Sequence, residues 1–325
     1  MSMTRWWSMV TVVALGLGLL GGPGGARAQT AESVGMITEI KMGKGRVEVQ
    51  AAGKADWRLA GPFLALRAGD TVRATADASA VILLAGGRGT VKVDASRSPL
   101  VMRPGAADDG KLQKARTLVE GSVKFLAAGP KEPPKAVLSV RAAGAAPVVL
   151  APRNSAVLPG PLTVEWLGGR ASRYAVRLLA PSGVVLEKTG IVGSRWEYPT
   201  DAPPLAPGVR YTVQVVPQTG RAQEASFEVL DAGRAQTVRE NLREVEDALG
   251  PEVSANTLTA VRFGLLAEQG LLHDARLAVL AALAKDPEEP ALHTLLGQLY
   301  QKVGLAKQAA EAFEEAQFLL TRGGK

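Results

Sequence analysis

The side chains able to do chemistry are few. The chain has no cysteine and two histidines, His273 and His293. Without Cys there is no thiol nucleophile, no thiolate metal site and no redox switch. The histidines fall on different expected helices with no third ligand at metal-binding spacing, so both take structural or surface roles. A hydrolase can work with two carboxylates alone. The candidates are Asp108-Asp109, in a Gly/Ala loop beside Pro104-Gly105, and Asp70, in a turn. Adjacent Asp residues on a loop are solvated, and the sequence contains no nucleophile elbow, Walker loop or His-Glu-x-x-His helix. Gly16-x-Gly18-x-x-Gly21 fits the dinucleotide-binding pattern. It lacks a preceding strand and a following soluble helix, and it lies in a segment expected to be discarded. No catalytic residue, cofactor or metal is expected.

The discarded segment is the first 28 residues. Arg5 supplies a positive start, Trp6–Leu20 is an uncharged run, Gly21–Gly25 contains Pro23, and Ala26-Arg27-Ala28 places small residues at −3 and −1 of a cleavage site. This order is that of a secretory signal peptide, cut after Ala28. An uncleaved anchor is the alternative, because the run from Trp6 to Gly25 has the length of a membrane span. After cleavage no Cys remains to carry a lipid, and no later run is long and apolar enough to span. The expected location is periplasmic or secreted.

Charge divides along the mature chain. Gln29–Lys135 carries 17 Lys or Arg against 11 Asp or Glu, Ala136–Leu230 carries 9 against 6, and Asp231–Lys325 carries 10 against 14. A basic front and an acidic rear imply different partners, contact between the two ends, or solubility alone. Nucleic acid is not an expected partner, because the basic residues do not cluster with aromatics.

Three modules are expected after the signal. From 29 to 129, short apolar runs alternate with Gly turns: Val34–Ile37, Gly45–Val49, Thr71–Thr75, Ala80–Leu84, Gly89–Val93 and Gly121–Phe125. Several show the period of two of half-buried strands, and their spacing of about 8–12 residues with Gly between them predicts an all-β unit in which no helix is needed. Val34-Gly35, Gly45-x-Val47-x-Val49, Trp57, Leu66-x-x-Gly69-Asp70-x-Val72-Arg73-x-Thr75, Ala80–Leu84, Gly89 and Gly121-x-Val123 together resemble a FecR domain. The resemblance implies a periplasmic β-domain. Founding members relay a signal to a cytoplasmic sigma factor through an anti-sigma segment before their membrane helix. Only Met1–Arg5 stands at that place here, so the relay is not implied.

Residues 130–147 read as a linker holding one short strand, Ala136–Val140. From 148 to 230, strands are predicted at Leu162–Trp166, Arg173–Leu179, Val184–Leu186, Arg195–Tyr198, Val209–Val216 and Ala225–Val229, with turns at Gly168-Gly169 and Pro181–Gly183. Leu205-x-Pro207-Gly208-x-x-Tyr211 resembles the tyrosine corner of a fibronectin type III sandwich, which implies core roles for Tyr211 and Trp166.

From 231 to 325 the pattern is helical. Val238, Leu242, Val245 and Leu249 share a face of a helix that Gly250-Pro251 ends. Beyond it Leu266/Tyr300, Gly270/Gly304, Leu271/Leu305, Ala275/Ala309, Val279/Phe313 and Ala282/Ala316 recur 34 residues apart. That period resembles tetratricopeptide repeats. The resemblance implies a concave groove lined by Thr294, Gln298, Gln301 and Lys302, with Lys302 able to pair with a carboxylate.

The expected fold class is therefore multidomain, β then α: an all-β FecR-like domain, a β-sandwich and C-terminal helical repeats. The expected function is a non-catalytic periplasmic adaptor or scaffold that holds a protein or peptide partner at the cell envelope, with envelope signalling as one setting. The alternatives are a module binding cell-wall glycan or peptidoglycan, with the basic front meeting an anionic polymer, and a carboxylate hydrolase.

Overall fold

Alternating apolar residues build the first β module. β1 (Ser33–Lys41), β2 (Val47–Gln50), β3 (Trp57–Leu59), β4 (Ala65–Arg67), β5 (Thr71–Ala74), β6 (Ser79–Leu84), β7 (Thr90–Val93) and β8 (Leu100–Val101) form two four-stranded antiparallel sheets. Their orders are β4-β1-β6-β7 and β3-β2-β5-β8. Ile37, Val47, Val72 and Ile82 fill the core between them. The Leu-x-x-Gly-Asp segment is a turn. Gly69 sits at φ +85°, a left-handed backbone that glycine tolerates best. The Asp70 carboxylate accepts from the Ala52 and Arg67 N–H groups at 2.9 and 2.8 Å. β1 departs from alternation: Gly35 to Ile40 are all buried, because helices cover its second face.

The computed structural model describes residues 33–104, 113–133, 146–168, 171 and 173–322. The signal segment with its Gly16–Gly21 pattern, the Asp108-Asp109 pair, the expected strand Ala136–Val140 and the second residue of the Gly168-Gly169 turn lie outside them.

One prediction for the first module is corrected. Gly121–Phe125 is not a strand but the middle of α1 (Gln113–Ala128), so the stretch read as all-β contains a helix. Ala115, Val119, Ser122 and Leu126 recur at helical spacing and are its buried residues. Gly121-Ser122-Val123 resembles a turn into a strand only when that longer period is ignored. The small side chain of Ser122 lets α1 approach a partner helix closely, and this packing overrides the weak helix propensity of Gly121.

The second β module has two packed sheets. β9 (Val148–Ala151), β10 (Ser155–Val157), β11 (Thr163–Leu167), β12 (Tyr174–Ala180), β13 (Gly183–Ile191), β14 (Arg195–Glu197), β15 (Arg210–Pro217) and β16 (Gln223–Val229) arrange as β10-β16-β15-β12-β13 and β14-β11-β9. β10 runs parallel to β16; the other pairs are antiparallel. β9 and β10 were not anticipated from the sequence. Trp166 is buried edge-on to Tyr174, and Tyr211 is buried against Phe227. The Tyr211 hydroxyl accepts from the Ala206 N–H at 2.8 Å, tying the corner to the strand.

The chain then turns helical: α2 (Ala232–Leu249), α3 (Ala255–Glu268), α4 (Leu272–Leu283), α5 (Pro290–Lys302) and α6 (Ala306–Arg322). Asp231 caps α2, and Gly250 at φ +73° ends it. The 34-residue correspondences recur in the turns and in the buried positions. Leu271 N–H bonds to Leu266 O at 2.9 Å, and Leu305 N–H to Tyr300 O at 2.8 Å. Gly270 and Gly304 both have positive φ at the turns. Ala275, Ala309, Val279 and Phe313 are fully buried between the paired helices. Among the described residues no helix is long and apolar enough to cross a membrane.

The helices are not an appendage. Met36, Phe63 and Leu83 of the first module enter the helical core, Leu320 of α6 enters the core of the first module, and Leu150 and Leu158 of the second rest on the helices.

Candidate functional site

α5 carries all four residues expected to line a groove. Glu289 caps it, its Oε1 accepting from Ala291 N–H at 3.1 Å, and Pro290 occupies its first turn, where no N–H is needed. The helical period then separates the four. Thr294 is buried, and its hydroxyl donates to Pro290 O at 2.9 Å, which takes it off any open face. Gln298 is buried at 5% exposure, whereas Gln301 and Lys302 are exposed.

The face that α3 and α5 would offer to a partner is largely covered by this chain. α1 lies along α3, and β1 crosses both α3 and α5. Gly264 of α3 faces Ser122 so closely that a Cβ there would stand 2.8 Å from the Ser122 Cβ. Thr38 of β1 hydrogen-bonds Thr257 of α3 at 2.8 Å between hydroxyls. What stays open is a pocket of about 370 Å³ at the C-terminal end of α1. It is lined by Phe125, Phe263, Leu299, Gln298, Gln301 and Lys302, among others. Three of the four expected residues thus share one pocket, in company that sequence reasoning did not anticipate. The helical spacing of Ala115, Val119 and Ser122 was the signal that could have revealed α1.

Lys302 Nζ sits 4.6 Å from the centre of the Phe125 ring, a cation–π contact. Lys131 anchors the end of α1, donating to Phe63 O at 2.9 Å and Ala127 O at 3.3 Å. Neither Oε1 nor Nε2 of Gln298 has a hydrogen-bond partner among the described residues.

Two other polar clusters sit where modules meet. Glu39 Oε1 accepts from Thr257 N–H at 3.1 Å and from the hydroxyls of Thr257 and Ser254. Glu289 Oε1 accepts from Ile40 N–H at 3.1 Å, and its Oε2 has no partner among the described residues. Burial, with the negative charges of Glu39 and Asp286 adding to it, pushes the Glu289 carboxyl up to about 8. The neighbouring pocket of about 180 Å³ is lined by Asp286 and Glu288, among others, but not by Glu39 or Glu289.

On the other side, Leu158 N–H bonds to Asp274 Oδ2 at 3.1 Å, and His273 N–H to Ser155 Oγ at 2.9 Å. The His273 ring is buried with neither nitrogen partnered among the described residues; burial first, then the Arg276 charge, pushes it down to about 4 despite Glu165. His293 lies elsewhere, with Nε2 2.8 Å from Pro287 O. Among the described residues no three His, Cys, Asp or Glu side chains gather as a metal site.

No family model matches the chain. No curated protein matches it. Among solved structures, a β-1,2-glucanase from Parabacteroides distasonis is similar at 12% identity and a TM-score of 0.21, over 89% of this chain and 50% of the glucanase. The chain thus spans half the length of that enzyme, and the score is too low for the likeness to bear on fold or activity.

Proposed function

We propose that this chain is an exported, non-catalytic adaptor that holds a protein partner at the cell envelope. The observation that carries this reading is the half-open, mostly apolar pocket between α1, α3 and α5, which gathers Gln298, Gln301 and Lys302. An apolar floor with a few convergent polar groups is the usual make-up of a recognition pocket. The sheet orders and the Tyr211–Ala206 bond support a fibronectin type III-like second module. The 34-residue equivalences of turns and core residues support tetratricopeptide-like repeats. The FecR-like reading of the first module rests on the residue pattern and on the Gly69-Asp70 turn. Export rests on the signal-like first 28 residues; N-terminal sequencing of the mature protein should begin at Gln29.

The test is affinity purification of the tagged chain from envelope extract, against a Gln298→Ala, Lys302→Glu double variant. Capture lost with unchanged helical content supports the adaptor. A chain that captures no protein but sediments with purified cell wall would instead favour the glycan-binding reading, for which the basic front is the motive.

A further inference from the structure

We infer that the seam where β1 crosses the starts of α3 and α5 is a proton-operated latch, shut while the Glu289 carboxyl is neutral and loosened when it ionises. This goes beyond the adaptor reading and does not depend on which partner is held.

Two successive residues of β1 fasten it to two helices. Glu39 reaches α3, where its Oε1 accepts from Thr257 N–H at 3.1 Å. Ile40 donates its N–H to Glu289 Oε1 at 3.1 Å, and Glu289 caps α5 by accepting from Ala291 N–H at 3.1 Å. Thr257 and Ala291 stand at the same position of the 34-residue period. Each helix start thus holds one carboxyl group against the same strand. Both groups are out of water: Glu39 is 7% exposed and Glu289 0%. They are not equally served. Glu39 Oε1 also takes the Thr257 and Ser254 hydroxyls, whereas Glu289 Oε2 has no partner among the described residues. The charged groups around Glu289 are Glu39 and Lys41 of β1, Asp286 and Glu288 before α5, and Arg322 of α6. On α5 itself, His293 turns to Pro287 O at 2.8 Å. Lys41 pairs with Asp286 at 3.4 Å and Arg322 with Glu288 at 2.9 Å, and neither forms an ion pair with Glu289. A buried carboxyl with no cation and an unserved oxygen keeps its proton, because the charged form would lose its hydration for nothing in return.

The closed seam raises Glu289 from its ordinary 4.5 to about 8, chiefly by burial, with the charges of Glu39 and Asp286 adding to it. In an opened seam water solvates the carboxyl and the ordinary value returns. Opening therefore releases a proton. It is favoured progressively as pH rises between the two values and gains nothing more above the higher one. What opening uncovers is the face of α3 and α5 that β1 crosses.

The test is hydrogen exchange on the full chain from about pH 6.5 to about pH 9, with infrared spectra of the same samples. Exchange is expressed as protection factors, which removes the intrinsic effect of pH on the rates. Protection in Ile37–Lys41 should fall by up to about tenfold per pH unit as far as about pH 8 and then level, because one proton leaves per opening. It should stay below that of Val213 and Val215 in the core of β15, since a local opening is easier than the unfolding of a whole core. The carboxylic-acid C=O band should be present at about pH 6.5 and fade as pH passes about 8. Asp274, raised to about 6, is largely ionised over that range. Glu289→Gln keeps a carbonyl acceptor for both N–H groups and cannot ionise. It should lose the band and hold β1 protection constant with pH. Wild-type β1 protection that does not change with pH, a fall that persists in the variant, or absence of the band overturns the inference. Equal protection in β1 and β15 at every pH would make the opening global and overturn it as well. If the variant does not fold, the wild-type band and protection decide alone.

Discussion

Arg276 of α4 and Glu165 of β11 form an ion pair of 2.7 Å between Nη2 and Oε2, joining the helical layer to the second β module. The Arg276 side chain is only 5% exposed, and it also donates to the Tyr300 hydroxyl at 3.3 Å. Removing one partner of such a pair leaves a buried charge uncompensated. Glu165→Ala should therefore cost about 3 kcal/mol of unfolding free energy, near the lower end for broken buried pairs. The double variant Glu165→Leu, Arg276→Met should recover a large part of that loss. Urea unfolding of the three proteins decides it, and equal losses in the single and double variants would refute the coupling.

Tyr211→Phe removes the acceptor of the Ala206 N–H while keeping the stacked ring. The expected loss is about 1 kcal/mol, that of one hydrogen bond. The full chain is the right object for the measurement, because Val148 and Leu150 of this module rest on the helices and would be exposed in a fragment. An unchanged denaturation midpoint would mean the bond contributes nothing.

Gly264→Ala places a methyl 2.8 Å from Ser122 Cβ, with the Ser122 backbone directly behind it. Neither helix can yield by rotating a flexible side chain. Overpacking of this kind costs about 1–3 kcal/mol. Because α1 is held mainly by this face, faster hydrogen exchange in Gln113–Ala128 should accompany the loss. Exchange that stays at the wild-type rate in α1 would show that the helices part without cost.

Glu289 sets a pH dependence. Its carboxyl has an ordinary value of 4.5 and is raised to about 8 in the folded chain, chiefly by burial. Between those values the folded protein keeps a proton that the unfolded chain has lost, so stability falls as pH rises. One such group contributes a slope of about 1.4 kcal/mol per pH unit at most. His273, held down to about 4, acts in the opposite direction below its usual 6.5, and Asp274, raised to about 6, has largely titrated by then. The window from about pH 6.5 to about pH 8 therefore reports on Glu289. Glu289→Gln should flatten the slope in that window, as read from urea midpoints. A slope that persists in the variant would assign it to another group.

Local patterns determined much of this protein. Short apolar runs between Gly turns marked β1, β2, β5, β6 and β7, and β2 and β5 alternate because a strand with one dry face must. The Pro207-Gly208-x-x-Tyr211 run located a corner whose hydroxyl bond spans only five residues, so its chemistry is written locally. The 34-residue period placed Gly270 and Gly304 at equivalent turns, since each hairpin closes on itself. The tertiary structure decided the rest. Gly121–Phe125 of α1 resembles a strand by local pattern because the helix's apolar face has meaning only against α3, whose Gly264 lies more than a hundred residues away. The unbroken burial of β1 comes from helices that cover its second face. The four residues of α5 looked alike as polar positions on one helix. Burial separated them: Thr294 turned inward onto Pro290, Lys302 stayed over Phe125, and Gln298 was enclosed without a partner among the described residues. A sequence records which residues can pair, but whether a polar side chain meets water, a partner or nothing depends on surfaces brought together from distant parts of the chain.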